Sequence, residues 1–155
     1  MTKKSLNRAA PLAVFLLALG SPLALAEDTV ETPDSAASPD FARLKSMVDA
    51  GDYADALPAL QALDTRTPDN PDVLNLIGFS LRKTGHAERA LDFYNRALAL
   101  KPDHLGANEY LGELYLELKQ PAMAKQRLEV LRQACGSCEE FTELQAKIDQ
   151  AAALP

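Results

Sequence analysis

No stretch of the sequence alternates apolar and polar residues with β-branched enrichment, so no β-strand is expected. Tryptophan is absent and aromatic residues make up only 6% of the chain. Ala, Leu, Glu, Lys and Arg take their place, and these side chains lose little rotamer freedom in a helix. An all-α fold follows, and 155 residues suggest a single domain. Catalytic groups are scarce too. His86 and His104 are the only imidazoles, both in turn regions and both expected as exposed helix-terminal residues. Neither belongs to a nucleophile or metal motif, and no glycine-rich loop could cradle a phosphate. The sequence therefore predicts no enzyme, no cofactor and no metal site.

Acidic residues are missing before Glu27, whereas Lys3, Lys4 and Arg8 make the first residues positive. An apolar run from Leu12 to Leu19 follows, then Gly20, Ser21 and Pro22, and Ala24-Leu25-Ala26 places small residues where a signal peptidase reads. Residues 1–26 are expected to be a cleavable export signal. The alternative is a retained membrane anchor, but spanning takes about 20 apolar residues and this run is shorter. No Cys stands at the cleavage point, so lipid anchoring is not indicated. Cleavage would remove those three basic residues and no acid, taking the net charge from −6 to −9. Such a domain repels nucleic acid and anionic lipid surfaces. Residues 27–39, rich in Asp, Glu, Ser, Thr, Ala and Pro, hold too little apolar surface to offset ordering entropy and read as a disordered acidic linker.

Beyond that linker the chain repeats itself. Pro68, Pro102 and Gly136 are 34 residues apart, as are Ala56, Ala90 and Ala124. Leu60, Tyr94 and Leu128 keep the step, and so do Leu63, Ala97 and Leu131. Gly51 and Gly85 are matched by Lys119 in the third copy. The physical logic is clearest in the middle copy. Gly78 and Ala90 are small residues expected to face one another where paired helices cross, letting ridges pack into grooves. Gly85 suits the left-handed residue that closes a helix, and Pro102 stops the next one. In the first copy Leu44 replaces that small residue, so its helices should stand slightly further apart. Pro58 is expected near the first turn of its helix, where a missing donor costs least, and Pro121 suits an early helix position.

A 34-residue period of paired helices is that of the tetratricopeptide repeat (TPR), and Leu74, Ile77, Gly78, Leu81, Gly85, Ala90, Tyr94, Ala97 and Pro102 resemble the TPR pattern. The resemblance covers residues 40–152, with repeats at about 37–70, 71–104 and 105–138. It implies a right-handed α-solenoid of three helix hairpins. Phe141, Leu144 and Ile148 then form one face of an amphipathic helix over 139–152, expected to cap the open end.

The resemblance also implies a groove lined by the first helix of each hairpin, which receives a protein or peptide partner. Carried onto this sequence, the groove positions are Phe41, Lys45 and Val48, then Asn75, Phe79, Arg82 and Lys83, then Glu109, Glu113, Leu116 and Glu117. Phe79 stands out as an aromatic anchor off the packing positions, while Phe41 suits core or groove equally. Glu109, Glu113 and Glu117 share one helix face, which is either simply solvated or an acidic wall preferring a basic partner. Some TPR domains clamp a terminal carboxylate with Lys, Asn and Arg. The matching positions here are Phe41, Lys45, Leu76, Gly106 and Tyr110, and only Lys45 is of the right type, so no such clamp is expected.

Cys135-Gly136-Ser137-Cys138 is the one constellation with thiol chemistry. In an exported chain the two cysteines most simply form a disulfide, pinning the turn before the cap helix. Thioredoxin-like chemistry needs a strand-to-helix setting, and haem attachment needs a His where Glu139 stands. A thiol or metal carrier, of copper or zinc, is the alternative and requires ligands beyond the pair. The sequence thus predicts a small exported TPR protein of the Gram-negative type, periplasmic, binding a protein partner as a scaffold. It does not indicate an oligomeric state.

Overall fold

The structure, a computed structural model, describes residues 38–153; the expected export signal 1–26 and residues 27–37 of the expected linker lie outside them. Seven helices and no strand occur among the described residues: α1 (Pro39–Asp49), α2 (Tyr53–Arg66), α3 (Pro71–Lys83), α4 (Ala87–Leu100), α5 (Leu105–Glu117), α6 (Pro121–Cys135) and α7 (Glu139–Ala153). The fold is an all-α TPR solenoid. None of these helices is long and apolar enough to cross a membrane.

Local chemistry sets the helix starts. Ser38 and Asn70 accept hydrogen bonds from the first-turn amides of α1 and α3, and each is followed by a proline at the first helical position. Such caps satisfy donors that a helix cannot pair itself. At α5 the cap is His104, whose Nδ1 accepts from Ala107 N–H at 3.1 Å while Nε2 meets Asp72 of α3 at 2.9 Å. His104 is thus buried and joins one repeat to the next, against the expectation of an exposed turn residue. His86 is exposed, as expected. Pro58 also differs from expectation. It lies inside α2, beyond the first turn, and removes a helical hydrogen bond; its exposed position leaves the freed carbonyl to water.

Three turns close with one geometry. Gly51 and Gly85 have φ of 91° and 82°, and Lys119 takes the equivalent place at 60°. In each turn the following amide reaches back to a carbonyl in the last helical turn, as from His86 to Leu81 and from Gln120 to Tyr115. A side chain at positive φ costs about 1–2 kcal/mol, which glycine avoids. Lys119→Gly is therefore expected to stabilise the protein by about 1 kcal/mol and raise Tm by about 4 °C in thermal melts. No rise would mean that the third turn relaxes its strain elsewhere.

Packing follows the repeat. Each helix contacts its chain neighbours, and α1, α3, α5 and α7 also contact one another in a row, whereas α2, α4 and α6 do not. That asymmetry makes the row α1–α3–α5–α7 the inner layer. The core runs continuously from Leu44 and Val48 through Ile77, Leu81 and Tyr94 to Leu131, Leu144 and Ile148. Gly78 admits the Tyr94 ring: a methyl placed on Gly78 would lie 2.8 Å from it. Gly112 makes the same room for Leu144 of α7, at 2.5 Å. The cap helix is thereby seated as the next inner helix.

Candidate functional site: a cleft between α3, α5 and α7

The inner layer opens into a cleft of about 370 Å³ between α3, α5 and α7. Phe79 and Lys83 line one side, Glu109, Tyr110 and Glu113 the floor, and Glu139, Glu140, Glu143 and Lys147 the other side. Phe79 is half-buried and packs between Tyr53 and Tyr110, with ring centroids 5.7 and 4.5 Å away. Two cations lean on it, the Arg82 guanidinium at 5.6 Å and the Lys83 ammonium at 5.2 Å from the ring centroid. This is cation–π geometry, and it orients both side chains.

Charge pairing is concentrated at Glu113. Arg82 from α3 and Lys147 from α7 both bond to its carboxylate, and Arg82 also reaches Glu117 at 3.1 Å. The Arg82 and Glu113 side chains are only 4% and 7% exposed, so their attraction is little screened by water. Lys147 loses hydration there, and that burial lowers its pKa. Glu109 stands differently. It is 4% exposed, and one of its carboxyl oxygens lies within 4.8 Å of one from Glu143. Burial, then repulsion from Glu143, pushes its carboxyl up to about 8. Burial also raises Tyr110, to about 12, with the Glu109 charge adding to the effect. Oxygens of Glu109, Glu113 and Glu143 lie within 4.8 Å of one another, a spacing that a metal ion could bridge. Arg82 and Lys147 already neutralise Glu113, so the trio reads as a charge network and not as a metal centre.

Of the groove residues expected from sequence, Phe79, Lys83, Glu109 and Glu113 meet in this cleft, and Arg82 supports its floor. Phe41 and Val48 do not: both are buried in the core. Asn75 is buried beside Gly106, the glycine whose missing side chain makes room for it. Lys45 is exposed on α1, paired with Asp49 at 2.7 Å, and outside the cleft. Leu116 lines a separate apolar pocket with Ile148 and Ala152. Glu117 is half-exposed at the edge of the Arg82 network. Instead of an open acidic wall there is a partly neutralised one. Cys135 and Cys138 form a disulfide that closes the turn between α6 and α7.

Sequence reasoning missed the contribution of α7, treated only as a cap. The signal was present. Glu143 and Lys147 follow Glu109 and Glu113 by 34 residues, so the cap helix continues the groove register.

Two models described as tetratricopeptide repeat match the chain, over residues 41–105 and 81–148. Together they span 41–148, and the chain belongs to the tetratricopeptide-repeat family. Solved structures agree on the fold. The Yersinia enterocolitica type III secretion translocator chaperone SycD is 18% identical, with a TM-score of 0.62 over 72% of this chain and 85% of its own. PcrH, solved in complex with the chaperone-binding region of PopD, is 18% identical and has a TM-score of 0.64 over 74% of this chain and 89% of its own. The first TPR of Spaghetti (RPAP3), bound to an HSP90 peptide, is 21% identical with a TM-score of 0.64, over 73% and 90% respectively. No curated protein sequence matches this one.

Proposed function

We propose that this protein is a non-catalytic interaction module of the Gram-negative cell envelope, exported by residues 1–26 and acting in the periplasm. It holds a basic segment of a partner protein in the cleft between α3, α5 and α7. The observation that carries this reading is the pairing of an aromatic platform, Phe79 and Tyr110, with carboxylates on the floor and opposite side. Aromatic surface supplies contact area at low entropic cost, and the acidic side selects charge. PcrH and the Spaghetti domain, both of this fold, were solved with a protein region and a peptide bound, which supports a partner of the same kind. A thiol or metal carrier is less favoured, since both cysteines are in the disulfide and neither joins a metal-ligating cluster among the described residues.

The test uses the full chain, tagged at its C-terminus and expressed in a Gram-negative host. N-terminal sequencing of the periplasmic product should begin at Glu27. Photo-crosslinking capture from envelope extract should then retain a discrete partner, reduced about tenfold by Phe79→Ala and by Glu140→Lys, a loss of about 1.4 kcal/mol in each. Capture unchanged in both variants would remove the cleft as the binding surface.

A further inference from the structure

Glu109 is the exception in the charge network. Glu113 has two cations and Glu117 has one, while Glu109, buried at 4% exposure, meets another carboxyl, that of Glu143. Their oxygens lie within 4.8 Å of one another, and two carboxyls that close repel if both are ionised, so burial and repulsion together favour the protonated form of Glu109. The surroundings hold it to that state. From α7, Glu139 and Glu140 add negative charge, while Lys147, bonded to Glu113 and 3.9 Å from Glu143, supplies the opposing positive charge. From α3, Lys83 leans on Phe79 and Arg82 is turned to Glu113 and Glu117. On α5 itself the neighbours are Glu113 and Tyr110. The cleft thus has space, an aromatic wall and one buried acid that makes no salt bridge among the described residues.

We propose that Glu109 keeps its proton beside Glu143 in the free protein, and that a partner's ammonium or guanidinium group docks in the cleft by displacing it. This rests on the basic-partner reading above and deepens it. The displaced proton goes to solvent, and the incoming cation leaves both carboxylates ionised. Binding then costs the removal of that proton and becomes easier as pH rises toward about 8, where Glu109 titrates. Below that pH the affinity gains up to tenfold per pH unit, the limit for release of one proton.

The experiment has two readouts on the full chain. Carboxyl-carbon NMR of glutamate-labelled protein should show one Glu signal titrating near pH 8, absent in Glu109→Gln and shifted toward the ordinary carboxylate range in Glu143→Gln. Calorimetry with amidated pentalysine at pH 7, in two buffers of different ionisation enthalpy, should show release of about one proton. Glu109→Gln should abolish that release, and Glu143→Gln, at the half-exposed partner, guards against a folding failure at the buried one. Three results overturn the proposal: pentalysine failing to bind, binding without proton release, or binding equally to Glu109→Gln. Proton release with zinc but not with pentalysine also overturns it, assigning the pair to a metal ion. A captured partner that depends on Phe79 but binds independently of pH would defeat this inference and leave the interaction function standing.

Discussion

Glu113→Ala is expected to destabilise the protein by about 3 kcal/mol, measured as a fall in the urea midpoint with an unchanged slope. The reason is desolvation. Arg82 has given up its water, at 4% side-chain exposure, and Glu113 is its buried counter-charge. Breaking a buried pair from one side strands the other charge, typically at about 3–5 kcal/mol. Glu117 at 3.1 Å and the Phe79 ring remain to hold the guanidinium, which places the expected loss at the lower end. The double change Arg82→Met with Glu113→Leu should recover most of it, since neither charge is then stranded. A loss under about 1 kcal/mol for the single variant would mean that Glu117 and water suffice for Arg82.

Leu144→Ala should cost nearly as much but in one place. Leu144 is fully buried and presses into the notch left by Gly112. Emptying such a site costs about 2.7–5 kcal/mol, depending on how far the surroundings collapse. Among the described residues α7 contacts only α5 and α6. The loss should therefore appear as faster amide exchange across 139–153, with α3 and α4 still protected. Uniform loss of protection in all seven helices would instead show that the cap helix folds as one unit with the rest. The same variant should loosen Glu143 and Lys147, which ride on that helix, and so weaken any ligand held in the cleft.

The repeat architecture was legible because its packing recurs: a buried Ala at 56, 90 and 124 reports one helix crossing three times over. Individual partners were less legible. The small-residue pairing of Gly78 with Ala90 gives no hint of the Tyr94 ring, one turn further along, that fills the space at Gly78. His104 was read as a turn residue because its partner, Asp72, stands 32 residues earlier, and sequence does not show side chains meeting across repeats. The burial of Phe41, one of its two expected places, has a geometric origin. Phe41, Asn75, Glu109 and Glu143 occupy one register, 34 residues apart. Asn75 meets Gly106 at the start of α5, and Glu109 meets Glu143 on α7. Each is covered by the following inner helix, and Phe41, on the helix before α3, is buried likewise. Phe79, Glu113 and Lys147, four residues on in their helices, line the cleft together with Glu109 and Glu143.

The ties between helices have a kinetic consequence. Asp40–Arg66, Asp64–Arg96, Asp72–His104, Arg82–Glu113 and Glu113–Lys147 span 26, 32, 32, 31 and 34 residues. Arg82–Glu117 spans 35, so none reaches more than one residue past the 34-residue period, and closing each contact needs only a short loop of chain. Low contact order of this kind is associated with folding in microseconds to milliseconds. It also lets order begin at any hairpin and spread to the next. A chain that emerges end-first during synthesis can consolidate each hairpin as it arrives, without waiting for its far end.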